Sequence, residues 1–214
     1  AIHFAVKMNN LEMIRILRKF NGDFNKVGHL GMAPIHEAAR SGHAEMINEL
    51  MTYNMDVNLT MENGLTPLFL AVSKNHFAAV ETLLRHKADL NTLINAKGTC
   101  ALTLCAKYGD FKIFELLKLH GYNFRQLHQK LSGFTPFFIA VEYGHMALVK
   151  YLIHHVDIVK QFTLNKDWMR KFLAEHGVDV KQRLLQFFQR KYHVHTLENS
   201  PEKFNVSVLD ISII

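Results

Sequence analysis

Ala33-Pro34-Ile35-His36-Glu37-Ala38-Ala39-Arg40-Ser41-Gly42-His43 is the stretch whose reading decides the fold, because pieces of it return along the chain at a nearly constant interval. Its closing pair comes back as Asn75-His76 and as Gly144-His145. Pro34 and Pro67 are 33 residues apart, as are Gly31 and Gly64. The same step separates Asp23 from Asp56 and Asp89, and Asn25 from Asn58 and Asn91. From Gly64 to Gly98 it lengthens to 34, and from Gly98 to Gly133 to 35, which places an added residue or two in loops. A fixed period between 20 and 50 residues outranks any local signal in setting architecture.

Inside each period the apolar residues follow helical spacing. The second half carries one quartet of positions: Met46, Ile47, Leu50 and Met51, then Ala79, Val80, Leu83 and Leu84. Later copies are Ile113, Phe114 and Leu117, then Leu148, Val149, Leu152 and Ile153, and the first copy is Met13, Ile14 and Leu17. Each period is therefore a pair of helices. Two short helices cannot bury both stripes between themselves, so neighbouring pairs must stack. In Gly64-Leu65-Thr66-Pro67-Leu68 the threonine suits an N-cap and the proline a first helical turn; Thr135-Pro136 repeats that chemistry. Stretches such as Ala88-Asp89-Leu90-Asn91 read as turns leading into short hairpins.

The segment 33–43 resembles the ankyrin signature T-P-L-H-x-A-A-x-x-G-H. Five units resemble it, expected at about 1–30, 31–63, 64–97, 98–132 and 133–156. The resemblance implies an all-α solenoid of stacked helix-turn-helix units, with short β-hairpin fingers at right angles and the first helices lining a concave face. Unit 4 departs from the pattern, with Cys100-Ala101 in place of Thr-Pro and Gly109-Asp110 in place of Gly-His. Losing such a cap costs roughly 0.5 to 2 kcal/mol, which makes unit 4 the expected weak link. Phe69 and Phe138 stand at the motif's histidine position, so the family's Thr–His hydrogen bond is excluded there.

After Ile153 the register breaks. Glu175-His176-Gly177-Val178-Asp179-Val180 resembles the end of another unit, with Trp168, Met169, Phe172 and Leu173 as its quartet. Residues 157–197 are thus expected to form a degenerate repeat and helical cap, closed by a helix around Gln182 to Tyr192. Residues 198–214 form a β-prone tail. Ala1 falls inside a motif, so the chain is expected to be part of a longer one or of a larger assembly.

With 49% hydrophobic and 21% charged residues, the 214-residue chain has the make-up of a folded protein. No apolar run reaches membrane-spanning length. Two cysteines, Cys100 and Cys105, are too few for a disulfide framework and fit a reducing intracellular compartment, the cytoplasm first. The net charge of +6 raises the possibility of an acidic partner. Between Lys160 and Lys203 there are nine Lys or Arg against five Asp or Glu, so much of the excess lies late in the chain.

Of the 14 histidines, His3 and His36 fall at the motif histidine and His43, His76 and His145 at its end. His154-His155 and His193-Val194-His195 have no third ligand at suitable spacing, below what zinc takes, so neither metal nor cofactor is expected. No carboxylate pair, reactive thiol setting, phosphate-binding glycine loop or metalloprotease motif argues for an enzyme.

The resemblance implies that the two residues before the closing Gly-His face the concave side. These are Lys7 and Met8, Arg40 and Ser41, Ser73 and Lys74, Lys107 and Tyr108, and Glu142 and Tyr143. A basic ladder of Lys7, Arg40, Lys74 and Lys107, edged by Tyr108 and Tyr143 with Glu142, suits a partner protein carrying an acidic or amphipathic segment. Leu93 and Ile94 are unusually apolar for finger tips and make a second candidate contact. The expected role is a non-catalytic protein-binding scaffold. The alternative, contact with nucleic acid or an anionic surface through the basic C-terminal helices, lacks any base-reading element.

Overall fold

The computed structural model describes residues 1–92, 99–121 and 136–155. The expected cap (157–197), the tail and the finger residues Leu93 and Ile94 lie outside the described residues. The chain divides into two compact units, Ala1–Asn123 and Phe124–Ile214.

Among its described residues the first unit holds eight α-helices in four pairs: α1 (Ile2–Lys7) with α2 (Leu11–Lys19), α3 (Pro34–Ser41) with α4 (Ala44–Met51), α5 (Pro67–Ser73) with α6 (Phe77–Arg85), and α7 (Ala101–Tyr108) with α8 (Phe111–Leu119). Each first helix packs on the next first helix, α1 on α3, α3 on α5 and α5 on α7. The second helices form the other layer, α4 on α6 and α6 on α8. The second unit contains a pair of the same kind, α9 (Pro136–Glu142) with α10 (Met146–His155), packed on each other. All described regular structure is helical.

These helices have six to ten residues, shorter than the length of about 12 at which an isolated helix begins to hold in water. Their stability comes from burial between pairs. Ile35, Ala38 and Ala39 of α3, with Met46, Ile47 and Leu50 of α4, are all fully buried, and Leu68, Ala71 and Val72 of α5, with Val80 and Leu83 of α6, repeat the pattern. In the first quartet Ile14 is buried but Met13 is exposed. Among the described helices α2 has neighbours on one side only.

The Asp and Asn of the 33-residue period act at the turns between pairs. Asp23, Asp56 and Asp89 each accept, through Oδ1, the N–H of the asparagine two residues on, at 2.8–2.9 Å. Asn58 Oδ1 then accepts the N–H of Asp89 at 2.7 Å, tying one turn to the next. Beyond them, where the β-hairpin fingers are expected, the described residues form tight turns and no strand. Met61 N–H donates to Leu65 C=O (2.9 Å) and Gly28 N–H to Met32 C=O (2.8 Å). A bond from Glu62 N–H to Leu30 C=O (3.1 Å) joins the two turns. A single cross-bond is too little for a ladder.

His36 is fully buried and fixes one of these turns. Its Nδ1 accepts the N–H of Ala33 (3.1 Å), which leaves the proton on Nε2 to be donated to Leu59 C=O (2.9 Å). Burial lowers its pKa below the ordinary value of 6.5, with the carbonyl bonds opposing. In unit 4, Thr103 stands at the motif's histidine position, and its hydroxyl both accepts from Cys100 N–H and donates to Cys100 C=O, each at 2.9 Å. Asp110 Oδ1 caps α8 through Ile113 N–H at 3.0 Å. The missing Thr-Pro and Gly-His are thus replaced by other local bonds, and the expected weakness of unit 4 is offset at both helix starts.

Helix ends carry the period in a form that residue identity hides. Positive φ recurs at Asn9, Gly42, Asn75, Gly109 and Gly144 after the first helices. It recurs again at Asn21, Asn54, Lys87 and Gly121 after the second. Lys87, at φ 63, is the one residue in these rows that is neither Asn nor Gly, and a side chain there is strained.

Two outcomes follow from this geometry. Lys87→Gly should raise the unfolding free energy by about 0.5–1 kcal/mol, the relieved strain less the added chain entropy, measured by urea denaturation; a lower midpoint would contradict it. Because folded His36 stays neutral while the unfolded imidazole titrates near its ordinary 6.5, the unfolded chain binds this proton first as pH falls. Stability is lost from about pH 6.5 downward until the folded pKa is passed. His36→Gln should be less stable than wild type at pH 8 and should show a shallower loss between pH 6.5 and 5; parallel curves would contradict the buried neutral imidazole.

Candidate binding face

The basic residues singled out by the motif stand at the C-terminal ends of the first helices. Lys7 closes α1, Arg40 lies in the last turn of α3, Lys74 is the C-cap of α5, and Lys107 lies in the last turn of α7, followed by Tyr108. All five are exposed. Cations in a last turn are favoured by the helix dipole whatever their role, so position alone does not make them a site.

Two histidines tie the ends of first helices to the pairs that follow. His43 Nε2–H donates to Lys7 C=O (3.3 Å) and His76 Nε2–H to Arg40 C=O (3.1 Å). These carbonyls belong to last turns and have no partner within their own helices. Each bond therefore satisfies an orphan acceptor and sets the end of one first helix against the turn that follows the next. Room for the second bond comes from Gly42: at φ 77, a Cβ there would sit 2.7 Å from the His76 ring. Asn10 and Asp110 occupy the same place in pairs 1 and 4 and cap their own helices instead, accepting from Met13 and Ile113 N–H. The position serves either a local cap or a bridge to the preceding pair.

Arg40 has a second engagement that the motif does not disclose. Its Nη2 donates to both oxygens of Glu37, at 2.8 Å each, and that carboxylate is buried, with 5% of Glu37 exposed. One period upstream of Glu37 and Ser41 stand Phe4 on α1 and Met8 at its C-cap, 69% and 62% exposed. An i, i+3 acid–base pair is visible in the sequence and could have been read; the burial of Glu37 and the exposure of Phe4 have no sequence signal of their own. In the second unit Glu142 ends α9 half-buried, and the exposed Tyr143 ring stacks nearly parallel to His145, centroids 6.5 Å apart. Leu93 and Ile94 are outside the described residues.

Other chemistry has little footing on the described surface. The Cys105 thiol is buried and pushed well above its ordinary pKa, by burial first, then by Asp110 and Cys100, the reverse of what a nucleophile needs. Among the described residues no three His, Cys, Asp or Glu side chains are placed to hold a metal, and no helix is long and apolar enough to cross a membrane. On the second-helix layer, Arg15 and Tyr53 both bond Glu49, the tyrosine O–H at 2.6 Å, while Arg18 lies 5.1 Å over the Tyr53 ring. Burial and the Glu49 bond push Tyr53 up to about 12, and the cluster serves to bind α2 to α4.

A family model described as ankyrin repeats in three copies matches residues 2–94 and 102–183. Comparison with curated proteins gives no match. If Gly42 provides the room for the bridging histidine, Gly42→Ala should lower the unfolding free energy by about 1–2 kcal/mol from the left-handed conformation alone. It should also loosen the amides of α5 in hydrogen exchange, whereas an unchanged melt would refute the close approach.

Proposed function

The chain belongs to the ankyrin-repeat family, whose repeats are generally protein-protein interaction modules and whose members typically act as non-catalytic scaffolds, and from that premise we propose that it binds a partner protein through the ends of its first helices. The partner presents an acidic or amphipathic segment to Lys7, Arg40, Lys74 and Lys107, with Tyr108 at the edge. Glu142 and Tyr143 extend the same motif positions into the later repeats, and the finger residues Leu93 and Ile94 supply an apolar contact. We take the five-unit division at 1–156 and a helical cap at 157–197 as part of this reading, supported by a family match that runs on to residue 183.

The observation that carries the proposal is the pair of histidine bonds to the Lys7 and Arg40 carbonyls, which tie the ends of consecutive first helices, where the exposed cations stand, to the pairs that follow. Such charges raise association rate and select a complementary partner more than they add raw affinity. Arg40 should not be reversed in a first test. Removing it would leave Glu37 buried without a counter-charge, costing up to about 3 kcal/mol.

The test is a Lys7→Glu/Lys74→Glu/Lys107→Glu variant, checked for native helicity, in a crosslinking capture from cell extract against wild type. Specific captured proteins should be lost from the variant; unaltered capture would remove this face from consideration. A retained species whose binding falls steeply and linearly with log salt would be nucleic acid and would contradict the protein-partner reading.

A further inference from the structure

The cations at the ends of the first helices are not equivalent once the charges beside them are counted. In each pair the first helix ends and the second begins at the same end, joined by a turn of two or three residues. A carboxylate in the first turn of a second helix therefore stands beside the cation that closes the first. Pair 1 has Glu12 and pair 2 has Glu45 in that place, and Arg40 is further neutralised by Glu37. Pair 3 has no acidic residue there. Pair 4 has Lys112 instead, with Asp110 as the N-cap of the same helix. A cation in a first turn opposes the helix dipole, so the fold does not ask for it. Among the described residues neither Lys74 nor Lys112 has a carboxylate partner.

This end of pairs 3 and 4 thus carries three cations against one carboxylate, where pairs 1 and 2 carry two against three. The exposed aromatic rings of this end belong to the same two pairs. Phe77 opens α6 with 42% of its surface in water, at a place where α4 opens with Ala44, and Tyr108 ends α7 at 56% exposure. Since an alanine serves at the start of α4, packing does not require the Phe77 ring. Exposed rings beside unneutralised cations are the composition that protein interfaces favour. The junction also lacks a bridging histidine, because Asp110 caps α8 where His43 and His76 reach back to the preceding pair.

We infer that pairs 3 and 4 hold the centre of the binding face, where Lys74, Lys107 and Lys112, with Phe77 and Tyr108, take a partner segment carrying carboxylates on either side of a large apolar side chain. The inference rests on the binding face proposed above and specifies its centre and its chemistry. Lysines with exposed rings also suit single-stranded nucleic acid, but the Asp110 carboxylate among them repels a run of phosphates, whereas a peptide can set its few carboxylates beside the lysines. Packed helices lie about 8–10 Å apart, a distance that three extended residues span at about 3.3 Å each. The apolar residue and its flanking acids are therefore neighbours in the partner's sequence.

The probe is a fluorescein-labelled, terminally capped peptide of repeated Asp-Phe-Asp units, titrated by anisotropy against the full chain at fixed salt. Lys74→Glu/Lys112→Glu should bind it about tenfold more weakly than wild type. The same variant should unfold at the same or a higher urea concentration, because an acid in the first turn of α8 suits the dipole. Phe77→Ala and Tyr108→Ala should each weaken binding about fivefold, and a peptide of Asp-Ala-Asp units should no longer distinguish them from wild type. Lys7→Glu should stay within about twofold. If Lys7→Glu weakens binding as much as Lys74→Glu/Lys112→Glu while both ring variants bind like wild type, the inference falls and the face stands. If none of these variants changes the affinity, both fall. A wild-type chain that does not bind the peptide, or that binds an oligothymidylate more tightly and loses it in Phe77→Ala, overturns the inference, and the capture assay then decides the face by itself.

Discussion

Helices of six to ten residues cannot stand alone, and a pair of them leaves an apolar stripe uncovered on each member. That mismatch between what one pair can bury and what it must bury is what the rest of the structure answers. Ile35, Met46, Ile47 and Leu50 are inaccessible because α1, α5 and α6 cover what α3 and α4 cannot. Stability in such an arrangement is a sum of weak units and strong neighbour terms. The polar bonds follow the same logic: Asn58 to Asp89, His43 to Lys7 and His76 to Arg40 each cross from one pair to the next.

The proposed binding face is a by-product of that solution. The carbonyls that need partners are those of the last turn, and the last turn is also where helices tolerate Lys and Arg best. When a histidine from the next pair satisfies such a carbonyl, it fixes the backbone of the residue that bears the cation. Pair 3 uses His76 in this way and pair 4 uses Asp110 to cap itself, so the tie between neighbours is not uniform along the stack. A ligand bridging several first helices would add neighbour coupling where the fold supplies less of it.

Much of this was legible in residue spacing. The 33-residue step in Asp and Asn marks the side-chain-capped turns and the bond between them, and the apolar quartets mark the buried stripes. The positive-φ rows were not legible as a period, since Asn, Gly and Lys alternate in them and only backbone angle unites them. Unit 4 looked poorly capped because Thr103 does its work from the histidine position. The expected finger strands proved, where described, to be turns, because one cross-bond does not make a sheet. At the candidate site, the cations were found from the motif. The burial of Glu37 was not, since a glutamate three residues before an arginine on a helix is ordinarily a solvated pair.

The claim that neighbouring pairs hold each other folded is tested most directly by native-state hydrogen exchange on wild type and Leu68→Ala. Leu68 is fully buried in α5, and its truncation removes about 2–5 kcal/mol of packing. The account predicts reduced protection in α3, α4 and α7 together with α5 and α6. Loss confined to α5 and α6, with α3 and α7 as protected as before, would show pairs that stand on their own and would contradict it.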